Sequence, residues 1–116
     1  MPPVDTAAKV LQYLGLAARA RELVIGVPLI CTALSRTGKG KTPPLVLKAT
    51  DCSQNTCKRL SDRTAFYGAT LMTLPVTCAE LARAIGKKDA LVAAVGVTEP
   101  HLCTAIRAAL EQTTTH

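Results

Sequence analysis

Apolar positions along this chain alternate between stretches of helical spacing and short unbroken runs, which predicts helices and strands in turn. From about Asp5 to Arg21, residues Ala7, Val10, Leu11, Leu14 and Ala18 recur at helical spacing while Lys9, Gln12 and Arg19 fall elsewhere, giving a first amphipathic helix. Leu23-Val24-Ile25 is a strand-like run ended by Gly26, and Pro28 stands where a helix can begin because its missing N–H is not needed there. A second helix is expected, with Leu29, Ile30, Ala33 and Leu34 inward. The stretch Thr37 to Pro44 mixes glycines with prolines and predicts a loop.

Leu45 to Ala49 predicts the next strand and Asp51-Cys52-Ser53 a turn. Cys57, Leu60, Thr64 and Tyr67 then share one helical stripe, with Lys58, Arg59, Asp62 and Arg63 on the other side. Gly68 closes this third helix, and Thr70 to Leu74 forms a strand. Thr77 and Glu80, three apart ahead of Leu81, Ala82 and Ile85, have the spacing of a capping box, so a fourth helix is expected to run to Gly86. Leu91 to Val97 is apolar almost throughout, as in a strand covered on both faces, and Thr98-Glu99-Pro100 opens a last helix carrying Leu102, Cys103, Ile106 and Leu110. Strands joined through helices imply an α/β/α three-layer sandwich. The tail from Thr113 to His116 is expected to fray.

At 116 residues the chain is the size of one domain, spanning residues 1–116, and 48% hydrophobic content is enough to order it. Aromatic residues make up 3% (Tyr13, Phe66 and Tyr67), too few to line a sheet-surface platform for stacked bases. A formal net charge of +6 favours polyanionic partners through counterion release. The five cysteines include no C-x-x-C pair, which points to small buried hydrophobes in a reducing cytosol and to no metal centre and no cofactor. Cys52, beside Asp51 in the turn, is the one whose exposure matters most.

No basic segment precedes an apolar one near Met1 to Asp5, so no secretory leader is expected. The apolar stretch Leu23 to Leu34 is broken by Gly26 and Pro28 and falls short of the ~20 residues of a bilayer span. A cytoplasmic protein without a membrane partner is expected.

Gly40-Lys41-Thr42 matches the end of a phosphate-binding loop, but Ser35 stands where the first glycine belongs and Pro43-Pro44 blocks the helix that must follow. Arg36, Lys39 and Lys41 remain a basic cluster able to meet phosphates as point charges, and Lys87-Lys88 is a second. Lys58, Arg59 and Arg63 are the pattern of a solvated helix face. Catalytic chemistry is thin: His101 and His116 are the two histidines, and no Ser/His or Cys/His constellation is visible, so an enzyme is not expected.

Four segments carry a resemblance. Val10 to Gly26, Thr50 to Leu60, Phe66-Tyr67 and Glu80 to Lys87 resemble, in order and with compatible spacing, the opening helix and strand, the acid-rich turn with its basic helix, that helix's aromatic end, and the fourth helix of the YlxQ-like bacterial branch of the L-seven-Ae ribosomal protein family. The resemblance implies a mixed four-stranded sheet in the sandwich and binding of structured, kink-turn RNA, possible ribosomal association included. The family's reading helix begins at the glycine matched by Gly26 and carries Asn, Glu and Lys where this chain has Pro28, Leu29 and Thr32. Those side chains cannot repeat the family's base contacts, which leaves backbone amides and basic side chains.

The expected RNA-contacting residues are therefore Gly26, Val27, Pro28, Leu29 and Thr32 at the second helix, the loop Lys87, Lys88, Asp89, Ala90 and Leu91, and Lys39 and Lys41. The competing expectation is a protein partner held by the apolar start Val27-Pro28-Leu29.

Overall fold

The computed structural model describes residues 4–35, 44–87 and 91–112 and alternates helices with short strands. The order is α1 (Val4–Arg19), β1 (Leu23–Ile25), α2 (Val27–Ser35), β2 (Leu45–Lys48), α3 (Gln54–Tyr67), β3 (Thr70–Thr73), α4 (Cys78–Ala84), β4 (Ala94–Val97) and α5 (Pro100–Gln112). The strands form one mixed sheet in the order β1-β4-β2-β3. β4 is antiparallel to both β1 and β2, whereas β2 and β3 are parallel. It follows that β1, β2 and β3 all point toward one edge of the molecule, and that β4 starts there.

Side chains alternate across the sheet with the period of two that pleating imposes. Leu45, Leu47, Val95 and Val97 meet Val10 and Leu14 of α1, Leu81 of α4 and Ile106 of α5 on one face. Val46 and Ala94 meet Ile30 and Leu34 of α2 and Leu60 of α3 on the other. These are the three layers expected from the apolar spacing. Leu14, Ile30, Leu34, Leu60, Leu81 and Ile106 are completely buried, and each such side chain is worth roughly 1.5–3 kcal/mol of transfer free energy. Thr64, the buried polar residue of α3, donates its hydroxyl to the Leu60 carbonyl at 2.8 Å, so its burial leaves no orphaned group.

Two apolar residues depart from the expected core. Leu29 is 60% exposed rather than inward, because Val27, Ile30, Cys31 and Leu34 set the buried arc of α2 and Leu29 lies on the opposite side. The helix is apolar nearly all round, so its sequence gives a weak directional signal. Leu91 is 77% exposed and precedes the last strand, which begins only at Ala94. From there the expectation of a strand covered on both faces is met, since Ala94 to Val97 are all buried.

Helix boundaries differ by small amounts from those expected. α1 ends at Arg19, followed by Arg21 in the left-handed region at φ 60°. α4 stops at Ala84, and Gly86 (φ 84°) lies in the left-handed turn that follows. There Gly86 N–H donates to the Arg83 carbonyl and Lys87 N–H to the Ala82 carbonyl, the pair of bonds of a Schellman closure. No helix among the described residues is long and apolar enough to cross a membrane.

Candidate nucleic-acid interface

The edge where β1, β2 and β3 end and β4 begins gathers several chain segments by backbone hydrogen bonds. Gly26 N–H donates to the Ala94 carbonyl (3.1 Å), Ala49 N–H to Ala93 (2.8 Å), Thr50 N–H to Val76 (2.8 Å) and Val92 N–H to Cys78 (3.4 Å). The start of α2, the return of the loop before β4, the turn after β2 and the start of α4 are thus tied in a row. Gly26 at the start of α2 is thereby joined to Ala94 where β4 begins, while Val92, next to Leu91, is joined to the start of α4.

Gly26 makes the turn from β1 into α2 at φ 94°, a conformation that disfavours residues with a Cβ. A Cβ at this position would meet nothing closer than Pro28 Cδ at 4.0 Å, so backbone conformation rather than space is what requires glycine. The first intrahelical bond of α2 runs from Ile30 N–H to the Gly26 carbonyl (3.0 Å). Ahead of it, Pro28 has no N–H, and the N–H groups of Val27 and Leu29 meet no acceptor among the described residues. Gly26 offers no side-chain oxygen to cap them, and α2 has no acidic residue in its first turn.

The other helices on which a comparison can be made each carry a side-chain cap. Ser53 Oγ accepts from Thr56 N–H at the start of α3 (3.2 Å). Thr77 Oγ1 accepts from Glu80 N–H (3.1 Å) while Glu80 Oε1 accepts from Thr77 N–H (2.9 Å), completing the capping box of α4. Glu99 Oε2 accepts from Leu102 N–H (2.7 Å) at α5. Among the described residues, the start of α2 is therefore the one of these with no side-chain cap, and its positive dipole end has no acidic residue in the first turn to offset it.

Of the remaining expected contact residues, Thr32 is exposed, but its hydroxyl donates back to the Pro28 carbonyl at 3.0 Å. Its oxygen can still accept. Lys87 is exposed just after the α4 closure. Lys39, Lys41, Lys88, Asp89 and Ala90 lie outside the described residues.

Asp51, expected as a turn residue, also braces this edge. Its Oδ1 accepts from Cys78 N–H at 2.7 Å, joining the end of β2 to the start of α4 across 27 residues. Hydrogen bonds from Cys78 hold its carboxyl below the ordinary value. The signal in sequence was the Asp-x-Ser turn, which does not tell which distant N–H the carboxylate will meet.

Burial, with the Cys57 thiol beside it, pushes the Cys52 thiol up to about 11, and burial beside Asp51 does the same to Cys78. Both remain protonated near neutral pH, which is unsuited to nucleophilic or redox chemistry. His101 is exposed, its Nδ1 2.9 Å from Glu99 Oε1. Among the described residues no group of three or more His, Cys, Asp or Glu is placed to hold a metal ion.

Comparison with known proteins adds three findings. The chain is 38% identical over 82 residues to the RNA-binding protein YlxQ of Bacillus subtilis (strain 168), an alignment that covers 71% of this chain and 77% of that one. A solved structure from Bacillus halodurans C, described as a protein with unknown function, superposes with a TM-score of 0.77 at 30% identity, covering 90% of this chain and 98% of that one. The Giardia lamblia 15.5kD RNA binding protein superposes with a TM-score of 0.72, covering 93% of this chain and 87% of that one; at 14% identity the likeness shows a shared fold. No family model matches the chain.

Proposed function

The chain belongs to the family of the RNA-binding protein YlxQ, and on that premise we propose that it is a non-catalytic RNA-binding protein acting in the cytoplasm. Its target is a structured, kink-turn-like RNA of ribosomal type. The observation that carries this reading is the uncapped start of α2, bonded through Gly26 N–H to Ala94 where β4 begins: among the described residues no side chain caps it and its Val27 and Leu29 N–H groups meet no acceptor, whereas the starts of α3, α4 and α5 each carry a side-chain cap.

A helix start of this kind suits phosphate or sugar oxygens without any side chain at all. In the proposed complex the Val27 and Leu29 amides hold the RNA backbone, and the loop Lys87 to Leu91 packs against a protruding base. Lys39, Lys41 and Lys88 add charge. Shape rather than base-edge hydrogen bonding gives selectivity, consistent with Pro28, Leu29 and Thr32 lacking the groups that read base edges.

One observation favours a second reading. Leu29 and Leu91 are large apolar residues that are 60% and 77% exposed, and exposed apolar side chains of this size suit a protein partner. Salt separates the two. RNA affinity carried by phosphate contacts falls steeply with ionic strength, whereas burial of Leu29 and Leu91 does not.

The test is binding to a kink-turn RNA and to a plain duplex of equal length, at low and physiological salt. Preference for the kink-turn at physiological salt is expected; equal, salt-labile binding to both would overturn it.

A further inference from the structure

The outward side of α3 is used by neither the core nor the edge described above. Asn55, Lys58, Arg59, Asp62, Arg63 and Phe66 are spaced by threes and fours, so they form one stripe along the helix, and all are exposed. Asn55 to Arg63 line a shallow depression of about 330 Å³. Three cations share it with a single carboxylate, and none of them joins an ion pair among the described residues. Charge alone would make this a solvated face.

Phe66 adds what charge does not. It is 80% exposed and is the chain's single phenylalanine. Its ring meets Tyr67 edge-to-face, with centroids 4.8 Å apart and planes at 86°. Tyr67 in turn packs against the cluster of Ile30, Leu34 and Leu60. The core-anchored Tyr67 thus gives the Phe66 ring one edge-to-face contact, while most of that ring stays open to solvent. α3 begins at the edge where α2 begins and packs beside α2 on the same sheet face. From Asn55 to Phe66 the stripe runs roughly 16 Å at ~1.5 Å per residue, leading away from the open start of α2.

We propose that this face of α3 is a second RNA contact that takes single-stranded RNA, with phosphates on Lys58, Arg59 and Arg63 and one unstacked base on Phe66. The inference deepens the RNA-binding reading but does not depend on the α2 edge. Single-stranded RNA is the occupant because a duplex keeps its bases stacked inside, out of reach of a lone ring, whereas an acidic polypeptide would use the cations and leave the ring idle.

The test uses the full chain and two probes: an unstructured RNA of about ten nucleotides and a kink-turn hairpin without single-stranded ends. Replacing the three cations together (Lys58→Gln, Arg59→Gln, Arg63→Gln) should weaken binding of the unstructured RNA at least about tenfold at low salt and reduce the slope of log K against log salt by about two. Phe66→Leu, which keeps an apolar side chain but no π-face, should weaken it at least about fivefold with the slope unchanged. Neither change should move affinity for the hairpin by more than about twofold, since no part of the stripe is needed there. Thermal melting of each variant establishes that it is folded.

Unaltered binding of the unstructured RNA by either variant would overturn the proposal, as would absence of such binding in the unsubstituted protein. If Phe66→Leu alone is silent, the face is a patch for any polyanion and not an RNA site. Failure of the hairpin to bind the unsubstituted protein counts against the α2 edge and leaves this proposal to the single-strand result.

Discussion

The starts of α2 and α4 lie along the same edge of the sheet and solve the same problem in opposite ways. A helix start leaves N–H groups without intrahelical partners. At α4 the fold supplies acceptors for its own donors: Thr77 and Glu80 exchange bonds, and Asp51 reaches across to Cys78 N–H. At α2 the described residues supply none, since Gly26 has no side chain and the Val27 and Leu29 N–H groups meet no acceptor among them. The cost of leaving α2 with glycine at its N-cap, roughly a few tenths of a kcal/mol relative to a capping side chain, is small enough for natural chains to tolerate where something else is bound. One start is closed by the fold itself, and the other is the one proposed to meet RNA.

Substitutions can break this contrast from either side. The largest effect belongs to the closed side: Leu81 is completely buried behind the α4 cap, so Leu81→Ala should cost about 2–5 kcal/mol in denaturant unfolding. Gly26→Ala should cost about 1–2 kcal/mol, because the φ of 94° must be held against a Cβ. It should also lower RNA affinity by tilting the first turn of α2. Thr77→Ala removes half of the capping box and should cost about 1 kcal/mol of stability, with RNA affinity unchanged.

Acid sharpens the same contrast. Hydrogen bonds from Cys78 hold the Asp51 carboxyl below its ordinary 3.8, so it favours folding when ionised. That contribution is whole above the ordinary value and is lost as pH falls through the lowered one. Acid titration of Asp51→Asn should therefore show a weaker loss of stability over that range than the unsubstituted chain. The smallest effect belongs to the open side: Leu29→Ala, at a residue 60% exposed, should change stability by less than about 0.5 kcal/mol.

How much of this was legible in the sequence depends on whether the signal was local. The capping box of α4, the glycine ends of β1 and α3, and the buried strand ending at Val97 rest on neighbouring residues and were readable. The direction of Leu29 was not, because α2 is apolar on nearly every side and only its docking on Val46 and Ala94 decides which arc is buried. Asp51 could be placed in a turn, but its bond to Cys78 spans 27 residues and depends on β2 and β3 being adjacent. The candidate edge has the same character. Gly26 could be placed at the end of β1, but its bond to Ala94 comes from β4 returning between β1 and β2. On α3, sequence placed the cations on one side of the helix; the exposure of Phe66 and its edge-to-face contact with Tyr67 came from the fold.

The most direct test of the open α2 start is an amide-resolved NMR titration with kink-turn RNA at physiological salt. The account predicts that the Val27 and Leu29 amide signals shift strongly with Leu91, while those of Cys78 and Glu80 in the capped α4 start stay nearly in place. Equal shifts at both helix starts, or none at Val27 and Leu29 with RNA bound, would contradict it.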